Sequence, residues 1–210
     1  MTDFNYKIET DLIPKINNIK NIKILELGVQ KGRSTLEFLK ICKKNEGKLF
    51  SVDIDDCSSV SNDINWKFIH SRDDNFSLIK NLVPDVVNVI FIDTIHESKH
   101  VEKLIYGYYD QLDVGGYMFI DDISHLPYLK GSERDSFYCE INNSETLEKI
   151  LEIYKNNITN FNLNISYISS GLAIIQKKTV HKLIKPNTLY SRKSSLKNFL
   201  RKIWKILKKD

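Results

Sequence analysis

The sequence predicts an α/β protein with a doubly wound, mostly parallel sheet of seven strands and an antiparallel last strand. Short runs of Val, Ile, Leu and Phe alternate with segments of helical periodicity. Near-continuous apolar strands of this kind are typical of parallel sheets covered on both faces. The last two strands are separated only by a short glycine turn, which favours antiparallel pairing. A chain of 210 residues is long enough to bury a core as one domain.

Each element is predicted from its own pattern. The strand segments are 22–28, 48–55, 66–71, 87–93, 115–123, 161–169 and 171–178. The helical segments are 34–44, 75–83, 98–112 and 144–156, the last with Ser144 as a plausible cap. Ligands of such sheets bind at the carboxyl ends of the strands. The polar residues at those ends are therefore the candidates for function.

The charge divides the chain into two parts. The net charge is +4, but residues 182–210 hold ten Lys or Arg and one acid, which leaves 21 basic and 26 acidic residues before position 182. We therefore predict a mildly acidic domain over residues 1–181 and a basic tail over residues 182–210. The three cysteines show no metal-binding or CxxC spacing, and the N-terminus lacks the pattern of a signal peptide. These observations predict a cytoplasmic protein.

The loop after the first strand contains Glu26, Gly28, Gly32 and Ser34. Glycines let the backbone turn tightly and approach a ligand, and the helix that begins near Ser34 offers N–H donors. The spacing fits neither the phosphate loop nor the GxGxxG pattern of dinucleotide binders. The loop is therefore predicted to bind a cofactor, with an ordinary glycine turn as the alternative.

Acidic residues follow the second and third strands. Asp53 comes about twenty residues after the glycine loop, where an acid can bind the hydroxyls of a ribose. Asp73 follows the third strand and could reach the edge of a base. For Asp53 the alternative is that it only begins a solvated loop together with Asp55 and Asp56.

Three more carboxylates follow the fourth and fifth strands, at Asp93, Asp121 and Asp122. No lysine or arginine is next to them in sequence, so they would repel one another unless a cation lay between them. Aspartate oxygens favour Mg²⁺, Mn²⁺ or Ca²⁺ over zinc. His96 follows Asp93 by three residues and is a candidate general base, with a surface or helix-capping role as the alternative.

These segments together resemble one enzyme superfamily. The order of "ILELGVQKGRS", "LFSVDID", "VIFIDTIH" and "GGYMFIDDI" is similar to that of class I S-adenosylmethionine-dependent methyltransferases, over roughly residues 20–178. The "FID-x-x-H" and "GGYMFIDDI" segments resemble the metal-dependent O-methyltransferases of antibiotic and polysaccharide sugars. The implied fold is the Rossmann-like methyltransferase fold, and the implied cofactors are S-adenosylmethionine and Mg²⁺.

The resemblance also implies roles for the candidate residues. The resemblance implies that Glu26, Gly28 and Gly32 border the methionine part of the cofactor and that Asp53 binds its ribose. Ser34, Asp73 and Asp93 are further predicted cofactor-binding residues. The implied metal ligands are Asp93, Asp121 and Asp122, and the implied base is His96. The predicted activity is methylation of a hydroxyl on a sugar, glycan or related small molecule. A metal-independent methyltransferase, including an N-methyltransferase, and a non-catalytic module of a glycan-assembly complex remain open.

Two further segments carry predictions of partners. The long loop after the fifth strand is predicted to be a substrate lid with His125, Tyr128, Arg134 and Tyr138 as contacts, or else a surface insertion. Residues 194–209 have the pattern of a basic amphipathic helix with a tryptophan, which predicts peripheral binding to an anionic membrane surface at the inner face of the cell membrane. Packing on the domain or on a second copy in a homo-oligomer is the alternative, and nucleic acid is not expected because no base-stacking pattern is present.

Overall fold

The structure is a computed structural model that describes residues 3–126, 137–185 and 195–207. A single sheet of seven strands forms its centre, in the spatial order β3-β2-β1-β4-β5-β7-β6. The strands are β1 (Lys23–Leu27), β2 (Lys48–Asp53), β3 (Trp66–His70), β4 (Val87–Ile92), β5 (Leu112–Asp121), β6 (Phe161–Ser166) and β7 (Leu172–Lys177).

Helices precede the sheet and connect its strands. They are α1 (Asp3–Lys7), a π-helical turn (Ile8–Leu12), α2 (Ile13–Ile16), α3 (Arg33–Asn45), α4 (Phe76–Leu82), α5 (Ser98–Tyr108), α6 (Phe137–Asn156) and α7 (Leu196–Leu207).

The strand directions confirm the predicted fold class. Strands β1 to β5 are parallel, while β7 runs antiparallel to both of its neighbours, β5 and β6. The chain leaves β1 toward β2 and β3 and later returns to the opposite side of β1 with β4. The order therefore reverses between β1 and β4, which is where open α/β sheets bind their ligands.

Apolar side chains form a core on each face of the sheet, because the central strands are buried on both sides. One core packs the sheet against α4, α5 and α6, with Ile79, Leu104 and Ile150 among its fully buried members. The other packs the sheet against α3 and the N-terminal helices. From the N-terminal helices it takes Ile8, Leu12 and Ile16, whose spacing of four residues places them on one helical face.

Several boundaries differ from the predicted ones. The N-terminal helices were not predicted, and α6 begins at Phe137, so Ser144 lies inside the helix instead of capping it. Helix α5 ends at Tyr108, and β5 begins at Leu112, three residues earlier than predicted. Beyond position 181, the Ile184 N–H donates to Asn157 Oδ1 at 2.7 Å, and the division into a domain over residues 1–181 and a basic tail over residues 182–210 stays a prediction.

Candidate active site

A cavity of about 520 Å³ opens at the carboxyl ends of β1, β2, β4 and β5. This volume lies within the range of small-molecule sites, about 300 to 1,000 Å³. Eight of the ten predicted site residues line the cavity, and Glu26 and Gly32 do not. The eight are Gly28, Ser34, Asp53, Asp73, Asp93, His96, Asp121 and Asp122. These eight predicted residues therefore share one cavity, although several of their side chains have protein partners that the sequence did not show.

Glu26 lies beneath the glycine loop and is completely buried. Its carboxylate accepts hydrogen bonds from the hydroxyls of Ser34 at 2.6 Å, Thr35 at 2.9 Å and Ser51 at 2.6 Å. Burial raises the pKa of Glu26 to about 7, although the three hydroxyl donors work in the opposite direction. Glu26 therefore fixes the start of α3 to β1 and β2 from inside the protein.

The two glycines of the loop are required by protein neighbours. Gly28 has φ +96°, and a Cβ added there would lie 1.9 Å from the carbonyl oxygen of Asp93. Gly32 has φ +74°, and its Cβ would lie 2.2 Å from a methyl group of Val60. The sequence interpretation attributed both glycines to the approach of a cofactor. The structure shows that both allow close packing within the protein, and that Gly28 also borders the cavity.

Asp53 joins the end of β2 to the glycine loop. Its Oδ2 accepts the backbone N–H groups of Val29 at 2.7 Å and Gln30 at 3.0 Å, and its Oδ1 accepts that of Asp55 at 3.0 Å. Partial burial would raise the pKa of Asp53, but the backbone donors outweigh it and hold the pKa below its usual value. An ionised carboxylate thus lies in the cavity wall next to the loop.

Asp73 is nearly buried at the end of β3. Its Oδ2 lies 2.8 Å from Nε2 of His100, and its carbonyl oxygen accepts the hydroxyl of Tyr108 at 2.5 Å. Both partners belong to α5, so Asp73 ties that helix to the cavity wall.

His96 lies between two of the predicted acidic residues. Its Nε2 is 3.2 Å from Oδ2 of Asp122 and 3.7 Å from Oδ1 of Asp93. The pKa of Asp93 is raised well above its usual value by burial, and the nearby Asp121 and Asp122 carboxylates raise it further. His96 therefore shares the cavity with these acids, as the sequence led us to expect.

Asp121 has a cation of its own, which the sequence interpretation did not anticipate. The Lys7 ammonium, from the end of α1, forms a buried ion pair with Asp121 Oδ1 and donates to Ser170 Oγ at 2.8 Å. Within the described ranges, no three His, Cys, Asp or Glu side chains are arranged to hold a metal ion. Within those ranges Asp93, Asp121 and Asp122 are therefore not arranged as the predicted three-aspartate metal centre, and Lys7 in addition pairs with Oδ1 of Asp121.

Two other residues that line the cavity were not predicted from the sequence. The Oγ1 atom of Thr94 is buried without a hydrogen-bond partner in the described part of the chain, and Thr94 lines the cavity. Ser170 lines it from the β6–β7 turn. Neither residue has a distinctive sequence pattern. The spacing of Ile8, Leu12 and Ile16 could have revealed the N-terminal helix, but nothing local marks Lys7.

The predicted lid falls largely outside the described residues. Tyr128 and Arg134 lie there entirely, and Tyr138 lies in α6 in a part whose side chains are not described. His125 packs edge-on against Tyr167, with ring centroids 6.2 Å apart, and is not among the cavity residues.

Comparison with known proteins agrees with this geometry. Residues 25–123 match the family model Methyltransf_24, described as a methyltransferase domain. No curated protein matches the sequence. The chain is similar in structure to the methyltransferase PaMTH1 of Podospora anserina, solved with S-adenosylhomocysteine, at TM-score 0.61 and 14% identity over 75% of this chain and 72% of that one.

Two further solved structures share the fold. MycE, from the mycinamycin biosynthetic pathway and solved with Mg and S-adenosylhomocysteine, matches at TM-score 0.61 and 16% identity over 89% of this chain. The present chain spans only 55% of MycE. A Staphylococcus aureus protein assigned as a caffeoyl-CoA O-methyltransferase matches at TM-score 0.61 and 18% identity, over 84% of each chain.

The match over residues 25–123 bears out the prediction of a methyltransferase domain, and the solved structures share the Rossmann-like fold predicted for class I S-adenosylmethionine-dependent methyltransferases. The cavity fits that cofactor in two respects. The Thr94 hydroxyl, which has no hydrogen-bond partner among the described residues, offers a hydrogen-bonding group to a bound molecule. Asp53 offers a carboxylate at the end of β2, where a ribose is expected.

Proposed function

We propose that this chain transfers the methyl group of S-adenosylmethionine to a hydroxyl oxygen of a sugar, glycan or related small molecule. The observation that carries the proposal is His96, held against Asp122 in the wall of the cavity. A hydroxyl must lose its proton to become a good nucleophile, so oxygen methylation benefits from a positioned base. An amine with a free electron pair does not have this requirement, which favours an O-methyltransferase over an N-methyltransferase.

The geometry suggests how His96 acts. In a neutral imidazole one nitrogen carries the proton and the other accepts one. If Nε2–H donates to Asp122, Nδ1 is left to take the proton of the acceptor hydroxyl. The carboxylate of Asp122 then stabilises the resulting imidazolium, as an oriented carboxylate does in other His-dependent sites. S-adenosylmethionine, when bound, supplies an electrophilic methyl carbon on a positively charged sulfur.

The acceptor is proposed from the polarity of the cavity. Its wall carries the charged or titratable side chains of Arg33, Arg72, Asp93, Asp122 and His96. Such side chains can hydrogen-bond several hydroxyls of a sugar ring and orient one of them. No step here depends on a divalent ion, because the residues do not fit the predicted metal centre.

The cofactor is tested first, by calorimetric titration of S-adenosylmethionine and S-adenosylhomocysteine into the purified chain. We expect micromolar binding by the unmodified protein and at least about tenfold weaker binding by Asp53→Asn, because Asp53 also holds the glycine loop. Asp56→Asn is the matched control, since Asp56 is exposed in the loop that follows β2 and Asp53, and it is absent from the cavity wall. Absence of binding by the unmodified protein would contradict the proposed activity.

The base is tested by His96→Gln with a panel of nucleotide sugars and oligosaccharides as acceptors. General-base catalysis contributes about 10² to 10⁴-fold, so turnover should fall by that factor. Cofactor affinity should change less than about twofold, since the proposed role is proton transfer. Undiminished turnover in His96→Gln would remove His96 from the mechanism.

We also propose that α7 lies on an anionic membrane surface. All of its described side chains are at least partly exposed, including Phe199 at 59% and Trp204 at 57%. Basic residues alternate with these apolar ones, at Lys197, Arg201, Lys202 and Lys205. An exposed apolar stripe beside a basic one complements an anionic lipid interface. Within the described residues, no helix is both long and apolar enough to cross a membrane.

Vesicle sedimentation of the full chain tests this surface. Vesicles with phosphatidylserine should bind the protein, and those of pure phosphatidylcholine should bind it at least about tenfold less, because each basic residue contributes about 1 kcal/mol near an anionic surface. Arg201→Gln with Lys202→Gln should abolish most of the difference, while Lys40→Gln on α3 should not. A dimer in solution with no lipid binding would instead assign α7 to contact with a second copy.

A further inference from the structure

The carboxyl end of β5 receives a cation from the protein itself. Lys7 is completely buried at the end of α1, and its ammonium contacts the carboxylate of Asp121, which is 3% exposed. We propose that Lys7 occupies the position that a divalent ion would otherwise take beside Asp121. The acidic side of the cavity then assembles without a bound metal, and the N-terminal helix is part of the active site.

The contacts show that Lys7 acts on one oxygen of Asp121. Oδ1 accepts the ammonium of Lys7, the backbone N–H of Asp122 at 2.8 Å and the hydroxyl of Ser170 at 3.3 Å. The same ammonium donates to Ser170 Oγ. A buried carboxylate is costly unless it is paired and hydrogen-bonded, and these contacts provide both conditions.

The arrangement continues from Asp121 to the proposed base. The N–H of Asp122 is held by Asp121 Oδ1 while Asp122 adopts φ +57°, a left-handed conformation that is uncommon outside glycine. In this conformation the side chain of Asp122 reaches Nε2 of His96 at 3.2 Å. Lys7 is therefore a positioning residue, since it fixes Asp121, and Asp121 in turn fixes the backbone of the residue that contacts His96.

A divalent ion and Lys7 would compete for the same place. A metal bound by Asp121 and Asp122 would have to share the Asp121 carboxylate with Lys7, because the Lys7 ammonium and two further donors already hold Oδ1. It would also bring two positive charges together in a buried region, where their repulsion is strong. Removal of the ammonium should have the opposite effect, because it leaves Asp93, Asp121 and Asp122 clustered without a cation. Oxygen ligands of this kind suit Mn²⁺ and Mg²⁺.

The test is Mn²⁺ binding to the purified full chain, measured from the loss of the electron paramagnetic resonance signal of free Mn²⁺. This readout needs no acceptor and no turnover. The unmodified protein should show no binding that depends on Asp121. Lys7→Ala should bind Mn²⁺ at least tenfold more tightly, and Lys7→Ala with Asp121→Asn should lose that gain. Lys15→Ala is the matched control, since Lys15 is an exposed lysine on α2.

Two results would overturn the proposal. One is Mn²⁺ binding by the unmodified protein that Asp121→Asn abolishes, because Asp121 would then be a metal ligand despite Lys7. The other is equal, negligible binding by the unmodified protein and Lys7→Ala, because Lys7 would then be only a structural ion pair. If Lys7→Ala is unfolded as purified, refolding with Mn²⁺ is compared with refolding in chelator. Recovery only with Mn²⁺ supports the proposal, and equal recovery or none opposes it.

Discussion

The two halves of the cavity are built in different ways. The glycine-loop half, formed by the ends of β1 and β2, uses partners that are near in sequence: Glu26 is held by Ser34, and Asp53 by Val29. The acidic half, formed by the ends of β4 and β5, depends on Lys7, which is 114 residues from Asp121. The first half is thus specified by a local segment, whereas the second requires the whole domain to be folded.

The halves also differ in how they compensate buried charge. Hydroxyl and backbone donors satisfy the carboxylates of the glycine-loop half. In the acidic half, a buried ion pair and a shared histidine balance carboxylates that repel one another. Substitutions that affect only one half, or the contact between the two halves, therefore test this comparison directly.

The largest expected effect is at the contact between the halves. Gly28→Ala would place a methyl group 1.9 Å from the backbone oxygen of Asp93, at a φ of +96°. We expect the free energy of unfolding to fall by at least about 3 kcal/mol, from overpacking and left-handed strain together. Gly115→Ala is the control, because Gly115 has φ +85° but no atom within 4 Å of an added Cβ.

Chemical denaturation of the two variants separates the effect of overpacking from the effect of backbone strain. Gly115→Ala should lose only the conformational part, about 1 to 2 kcal/mol. Equal losses in both variants would show that the contact between Gly28 and Asp93 contributes nothing beyond backbone strain.

The next largest effect concerns the pH dependence of stability at Glu26. Its pKa is about 7 in the folded protein against 4.5 ordinarily, so folding is favoured while the carboxyl is protonated. This contribution is complete below pH 4.5 and is lost as pH rises to about 7. The expected loss is about 3 kcal/mol, at 1.36 kcal/mol per pKa unit.

Glu26→Gln should remove that slope, because glutamine does not ionise. The difference in unfolding free energy between the two proteins, measured by denaturant titration from pH 4.5 to 8, isolates Glu26. Asp93 and Asp121, whose pKa values are also raised, contribute to both proteins. A constant difference across this range would contradict the raised pKa of Glu26.

The smallest effect is expected at Thr94→Val. The hydroxyl of Thr94 is buried and has no partner in the part of the chain that the structure describes, so its removal should change the unfolding free energy by less than about 1 kcal/mol. Affinity for S-adenosylmethionine should fall about threefold to tenfold if the hydroxyl contacts the cofactor. Unchanged affinity in calorimetry would leave Thr94 out of the cofactor site.

The strands and the site were predictable because their signals are local. Apolar runs end in polar residues at β1, β2, β4 and β5, and the parallel order brings those ends to one edge of the sheet. The roles of individual residues were less accessible. Glu26 and Ser34 lie in one motif, yet only the fold shows that they bind each other.

Lys7 could not be predicted, since its partners Asp121 and Ser170 are distant in sequence and no motif connects them. The expected repulsion among Asp93, Asp121 and Asp122 indicated that a cation lies near them. The sequence did not indicate that this cation is a lysine side chain of the protein. The glycines show a related limit. Composition predicts close approach at Gly28, and the approaching atom proved to belong to Asp93.

The cluster of Lys7, Asp121 and Ser170 has a consequence for how the protein is synthesised. Its members are 163 residues apart from first to last, so a nascent chain completes the cluster only after Ser170, just before β7, has left the ribosome. The glycine loop and Asp53 can meet much earlier. A fragment that lacks the first seven residues would keep the predicted cofactor side but lose the counter-charge opposite it. Expression variants of this protein should therefore preserve the N-terminal helix.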